Sequence, residues 1–334
     1  VIVTNVYDEK GRLLTGATPE SMVAMLEGMG ADAVGMNCSL GPAKMVELVP
    51  RFMAAASVPV IVKPNAGLPR AQGGGAVYDV GPDGFAAAMQ KAVEYGARVV
   101  GGCCGTTPEF IKALVNATKE LPAAPITEKL EPVVSSGRQA VTFGNGPVLI
   151  GERINPTGKK RLAAALREGD IDTVLREGLL QEERGAAVLD VNVGLPDIDE
   201  AAVLEACVAR LQAVCPLPLQ LDTGSPKALA RAMRIYCGKP LVNSANGKKE
   251  SMEAVFPLVK KYGGMVICLT LDEAGIPETA MGRLAVAKKI AMEADRYGIA
   301  RRDLLFDPLA MAVSAQPDGA LVALETIELI DRDL

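Results

Sequence analysis

Apolar and polar positions along the chain follow two alternating periods. Short runs dense in Val, Ile, Leu and Ala are separated by longer stretches in which apolar residues return every three or four positions, the pattern of strands joined by amphipathic helices. Successive βα units of this kind build a parallel sheet. The first group of strand-like runs is Val1 to Val6, Ala31 to Met36, Val58 to Val62 and Ala97 to Gly101. The second is Val148 to Gly151, Ala186 to Val191, Leu217 to Leu221, Pro240 to Val242, Met265 to Leu269 and Asp303 to Phe306. Thr18-Pro19-Glu20, Thr107-Pro108-Glu109 and Ser225-Pro226 each place a capping hydroxyl before a proline and mark helix starts, and Gly30 marks a stop.

Between the groups, LPAAPITEKLEPVVSSGRQAVTFGNG is rich in Pro, Ser and Gly and has no helical period. It reads as an interdomain linker over 120–146, between a first unit over 1–119 and a second over 147–334. About four βα units precede it and about six follow, where a (β/α)₈ barrel needs eight. The expected fold is therefore α/β, two consecutive TIM-type barrels, the first lacking its N-terminal strands and the second its C-terminal strands.

Composition narrows the chemistry. The chain has 334 residues, 49% hydrophobic and 22% charged, with no Trp, as expected of a globular protein whose core is aliphatic. A net charge of −5 without a basic run argues against nucleic acid and anionic membranes as partners. No apolar stretch reaches the ~18 residues of a membrane span, and a cytoplasmic location is expected. Seven irregularly spaced cysteines read as reduced thiols rather than a disulfide framework. Histidine is absent, which removes the commonest metal ligand and general base.

Cys38 follows the run ADAVGMN, and Cys103 and Cys104 follow ARVVGG, so all three fall at carboxyl ends of strands, where parallel barrels place their chemistry. Adjacent strand residues point to opposite faces, and Gly101, Gly102 and Gly105 supply the break that lets two neighbouring cysteines share an ion. Three thiolates suit zinc and leave its fourth position open for a substrate thiol, which the cation would keep ionised. Spacing alone leaves this reading level with the plainer one, that these are small buried hydrophobes. Cys207, Cys215, Cys237 and Cys268 sit singly in apolar contexts and are expected to be buried and inert.

After the linker, polar residues recur at strand ends: Glu152 and Asn155, Asp190 and Asn192, Asp222, Asn243, and Asp307. A barrel would project them toward one mouth. Carboxylates accept from amidine-like N–H groups while Asn both donates and accepts, so the set suits a flat heterocycle such as a pterin. Taken one by one, such residues more often cap helices or make turns.

GMNCSLGP, KPNAGLP and GGCCGTTP resemble the zinc-binding segments of the homocysteine S-methyltransferase barrel. The resemblance implies zinc held by Cys38, Cys103 and Cys104, homocysteine sulfur as fourth ligand, and Asn65 near the metal when substrate is absent. Asn65 also reads simply as a turn residue. GERIN, LDVNVG, LDTGSPKAL, LVNSAN, GIPET and FDPLA resemble the pterin-binding barrel of methyltetrahydrofolate:corrinoid methyltransferases. There Asp222, Asn243 and Asp307 would hold the pterin, with Asp190 and Asn192 close by and Glu152 and Asn155 shaping the first loop.

The two barrels in this order resemble the cobalamin-dependent methionine synthase family. That resemblance implies methyl transfer from 5-methyltetrahydrofolate, by way of a cobalamin on another domain or a corrinoid protein, to zinc-activated homocysteine, giving methionine and tetrahydrofolate. It also implies a further Asn on a seventh strand of the second barrel, beyond this chain. Two alternatives are a dihydropteroate synthase-like enzyme and a non-catalytic zinc module. The first gives no role to GGCCGTTP, and DPLAMAVSA does not resemble the glycine-rich segment expected after that enzyme's aspartate. The second would normally need four protein ligands.

Overall fold

The computed structural model describes every residue except Gly73, Gly74, Ala312, Val313, Ala315 and Gln316, so part of the DPLAMAVSA segment lies outside the described residues. Two compact units emerge, one comprising Val1–Leu130 with Gly137–Ala140, the other Glu131–Ser136 with Val141–Leu334.

The first unit follows the βα rhythm: β1 (Ile2–Asn5), α1 (Pro19–Gly28), β2 (Ala33–Asn37), α2 (Pro42–Val46), α3 (Val49–Ala55), β3 (Val60–Lys63), β4 (Pro69–Gln72), β5 (Gly75–Tyr78), α4 (Pro82–Glu94), β6 (Val99–Val100) and α5 (Pro108–Thr118). Its main sheet has the order β1-β2-β3-β6, every pair parallel. Val34, Met36, Val60 and Val62 are buried against Phe52, Phe85 and Met89, and each fully buried side chain of this kind contributes roughly 1.5–3 kcal/mol. Gly35 has no substitute here, because a Cβ would lie 2.0 Å from the Ile61 carbonyl oxygen. The β4–β5 hairpin, inserted after β3, was not legible as strand, each strand being only four residues long and outside the dense aliphatic runs.

The second unit begins with two short strands inside the stretch read as linker, β7 (Val133–Ser135) and β8 (Ala140–Thr142). Ser135 is tied down by backbone pairing to Lys239 at 2.8 Å and by the Tyr236 hydroxyl, which donates to its carbonyl at 2.9 Å. There follow β9 (Ile150–Ile154), α6 (Lys160–Glu168), α7 (Ile171–Glu183), β10 (Val188–Asn192), α8 (Glu200–Val214), β11 (Leu219–Asp222), α9 (Pro226–Ile235), β12 (Leu241–Asn246), α10 (Lys249–Tyr262), β13 (Met265–Leu269), α11 (Ala280–Tyr297), β14 (Leu304–Asp307) and α12 (Gly319–Asp333). The sheet runs β14-β13-β12-β11-β10-β9, again all parallel and in sequential order.

Parallel sheets of four and six strands, each strand followed by helix, with β3 separated from α4 by the hairpin, are the α/β architecture expected from the sequence. Several strands, such as β2, β10 and β11, begin two residues later than their apolar runs and extend through a polar residue at the carboxyl end: Asn37, Asn192 and Asp222. Thr18 and Ser225 cap their helices through the N–H groups of Ser21 and Ala228. Thr107 does not, because its hydroxyl donates to Glu109 instead. Among the described residues no helix is long and apolar enough to cross a membrane.

Candidate functional site

In the first unit the chain leaves β2 at Cys38, where two consecutive residues take left-handed backbone, Cys38 at φ 58° and Ser39 at φ 61°. Such conformations are uncommon for residues with a Cβ and need local compensation. The Cys38 N–H donates to the Lys63 carbonyl at 2.9 Å, and the Cys103 N–H to the Pro64 carbonyl at 2.8 Å. Both cysteine segments are thus pinned to the end of β3.

Asn65, which is buried, completes the frame. Its Oδ1 accepts from the Cys104 N–H at 3.1 Å, and its own N–H donates to the Leu40 carbonyl at 3.0 Å. Its side chain also hydrogen-bonds Cys38. In this arrangement Asn65 orients the two thiol-bearing segments.

The three sulfurs converge. Cys38 Sγ lies 3.8 Å from Cys104 Sγ, Cys103 Sγ lies 4.0 Å from Cys104 Sγ, and all three are within 4.8 Å of one another. Zinc–sulfur bonds of ~2.3 Å in a tetrahedron put sulfurs about 3.8 Å apart, so the donor set fits one zinc ion with little movement. The Ser39 N–H, followed by the neighbouring thiols and Asn65, holds Cys38 below the usual thiol range despite its partial burial. Hydrogen bonding to Cys38 and Cys103 raises Cys104. Cys38 therefore ionises more readily than Cys104.

Tyr78, on β5, also reaches this cluster, and sequence reasoning missed it. Its phenol is pushed up by desolvation, then by the charge of Cys104 and a hydrogen bond to it. Gly105 makes room for the ring: at φ 80° and with Tyr78 Cδ2 only 2.3 Å from where a Cβ would stand, any other residue strains the backbone and must push the ring aside. No local motif marks a lone tyrosine at the end of a short hairpin strand. Of the remaining cysteines, Cys207, Cys215 and Cys268 are buried, and burial pushes the Cys207 thiol up to about 12. Cys237 corrects the expectation: it follows the end of α9 and is exposed.

In the second unit the parallel register lines up the carboxyl ends of three neighbouring strands. Asn192 pairs with Asp222, and Asp222 with Asn243, so the three form one row. Asn192 Nδ2 donates to Asp222 Oδ2 at 2.9 Å, while its Oδ1 accepts from the Gly194 N–H at 2.9 Å. One layer deeper on the same faces, Asp190 pairs with Gln220. The Gln220 amide donates to the Asp190 carboxylate, which also hydrogen-bonds Asn243.

Asp190 is 3% exposed, and burial, then the nearby charge of Asp222, raise its carboxyl to about 7. Asp222 is raised too, chiefly by burial and against the hydrogen bond from Asn192. Gln220 was missed, although a lone polar residue two positions before Asp222 in the apolar run LQLD carried the signal. Asp307 ends β14, two strands beyond β12, with Oδ1 accepting from the Leu309 N–H at 2.7 Å. Glu152 and Asn155 serve the first loop. Glu152 takes the Lys159 ammonium at 3.2 Å, and Asn155 Oδ1 accepts from the Thr157 N–H at 3.0 Å.

Comparison with known proteins follows this division. Residues 1–118 match the homocysteine S-methyltransferase model, and residues 151–333 match the pterin binding enzyme model. A methionine synthase of Mycobacterium tuberculosis is 32% identical over 96% of this chain, and one of Mycobacterium leprae is 31% identical over 99%. The chain spans only 28% and 29% of their lengths. A crystal structure of Burkholderia cenocepacia dihydropteroate synthase complexed with 7,8-dihydropteroate aligns over 59% of this chain and 71% of that one, at 21% identity and a TM-score of 0.43. Through residues 151–333 the chain belongs to the pterin binding enzyme family, and ahead of them it carries a segment that matches the homocysteine S-methyltransferases.

Proposed function

We propose that this chain supplies the homocysteine and folate sites of a methionine synthase, in which the methyl group of 5-methyltetrahydrofolate reaches homocysteine to give methionine and tetrahydrofolate. The methyl group would pass by way of a cobalamin held by another domain or a corrinoid protein. The observation that carries the reading is the trio Cys38, Cys103 and Cys104, which no other Cys, Asp or Glu joins among the described residues. A three-sulfur set leaves room for a substrate thiol, whereas a purely structural zinc is normally closed by four protein ligands.

When bound, zinc supplies the charge that keeps such a thiol ionised at neutral pH without a general base. The chain's own residues do the rest. Asn65 and the Lys63 and Pro64 carbonyls fix the thiol-bearing segments, and Tyr78 hydrogen-bonds Cys104. Asp222, Asn243 and Asp307 are assigned to the pterin, with Asn192 orienting Asp222 and Asp190 lying beneath. Displacement at a methyl carbon develops little charge needing an oxyanion hole, so positioning and a reactive thiolate supply most of the rate. This division of labour fits the two family matches and the methionine synthase relatives.

X-ray absorption at the zinc edge tests the reading. The expected result is about one zinc per chain with a three-sulfur shell that gains a sulfur on adding homocysteine. A shell unchanged by homocysteine refutes substrate activation.

A further inference from the structure

Arg283 heads the fully buried side chains of this protein, with no solvent exposure at all. It lies in the first turn of α11, which Thr279 caps. Its Nε donates to the Pro277 carbonyl at 3.0 Å, and its Nη1 to the carbonyls of Pro308 at 2.7 Å and Leu309 at 3.4 Å. Its Nη2 is buried without a hydrogen-bond partner among the described residues. A desolvated cation held, among the described residues, by neutral carbonyls alone is a poor way to stabilise a core, where an apolar side chain of similar volume would serve better. The charge must therefore be retained for what it joins.

It joins two loops at the carboxyl end of the sheet. Pro277 belongs to the loop after β13, while Pro308 and Leu309 directly follow Asp307 at the end of β14. Asp307 is fixed at both ends. Its carbonyl accepts from the Thr270 N–H at 3.1 Å and the Thr270 hydroxyl at 3.0 Å, and its Oδ1 accepts from the Leu309 N–H at 2.7 Å. Leu309 itself takes the left-handed conformation, φ 61°, which a leucine avoids unless held there. The carbonyls on either side of the Leu309 N–H are those that Arg283 grips.

We infer that Arg283 is a positioning residue for the folate site: it clamps the loop after β14 to the loop after β13 and so fixes the Asp307 carboxylate for the ligand. The inference rests on the assignment of Asp307 to the pterin made above. Arg283 itself, fully enclosed, does not touch the ligand. A planar fork suits this task, because one guanidinium reaches carbonyls on two loops at once, whereas an ammonium is a single point of charge.

Calorimetric titration of the full chain with 5-methyltetrahydrofolate, on wild type, Arg283→Met, Asp307→Ala and the double variant, separates clamp from scaffold. Arg283→Met is expected to weaken binding about tenfold, and to cost nothing further once Asp307 is alanine, since the residue it positions is gone. If Arg283→Met does not fold, Arg283→Lys carries the same cycle, with about a threefold loss that again vanishes beside Asp307→Ala. An unchanged titration for Asp307→Ala sinks the folate assignment itself. Weakened binding in Asp307→Ala together with wild-type binding in the Arg283 variants, or losses that multiply in the double variant, overturns the clamp alone.

Discussion

Replacing Asp190 with asparagine should stabilise the protein at neutral and alkaline pH. Asp190 is 3% exposed, and burial first, then the charge of Asp222, raise its carboxyl from 3.8 to about 7. The folded state therefore keeps a proton that the unfolded chain gives up above about pH 4. The associated stability is complete below the unfolded value and is lost as pH rises through 7. A gap of about three units at 1.36 kcal/mol each comes to on the order of 4 kcal/mol. Asparagine has no charge to desolvate, and its Oδ1 can still accept from the Gln220 amide that now binds Asp190. Urea unfolding followed by far-ultraviolet circular dichroism suits a chain without tryptophan. At pH 8 the variant should exceed wild type by a few kcal/mol, and the gap should narrow steadily below pH 6. Parallel stability curves for the two proteins across this range would refute the argument. Such a gain would mark Asp190 as a group kept at the site at the expense of stability, as functional groups often are.

Three further outcomes follow from other parts of the molecule. Asp222→Ala and Asn243→Ala should each weaken 5-methyltetrahydrofolate binding at least tenfold, about the effect of losing one charged hydrogen bond, and unaltered calorimetric titrations would remove these residues from the site. Gly105→Ala should cost on the order of 1–3 kcal/mol, combining a left-handed backbone with a ring in the way of the new methyl; a thermal midpoint equal to wild type would show that Tyr78 yields freely. Lys239 and Asp303 form an ion pair with side chains only 7% and 13% exposed. Lys239→Met alone should cost about 3–5 kcal/mol in urea melts, whereas Lys239→Met with Asp303→Leu should recover most of that loss.

The strands were legible because parallel strands are buried on both faces and so read as continuous aliphatic runs. All ten runs named from the sequence overlap a strand of one of the two main sheets, from Ile2–Asn5 through Leu304–Asp307. The boundaries shifted toward the carboxyl side, because apolarity tracks burial while the ladder follows hydrogen bonds. Asn192 and Asp222 stay in the ladder although their side chains are polar, since the strand end is where a polar side chain can find partners. From the sequence, Asn192, Asp222 and Asn243 could be read among the polar residues at strand ends; that the three form one row is added by the structure. Its members share a register, and register between sequential parallel strands is tightly constrained by which face is buried.

What stayed hidden depends on contacts that no local pattern encodes. Tyr78 meets Cys104 only because a hairpin folds back from β3, and Arg283 meets Pro308 only because two loops converge beyond β13 and β14. Thr107 has the backbone of a helix cap, yet an acid two residues on captures its hydroxyl. Cysteine identity was equally uninformative by itself. Cys207 and Cys38 are the same residue, but one sits inside α8, where burial suppresses ionisation, and the other turns out of β2 onto a backbone N–H that promotes it. Reactivity is thus a property of where the strand stops. The same break that places Cys38 in left-handed backbone aims its sulfur at Cys104, 66 positions away in sequence and 3.8 Å away in space.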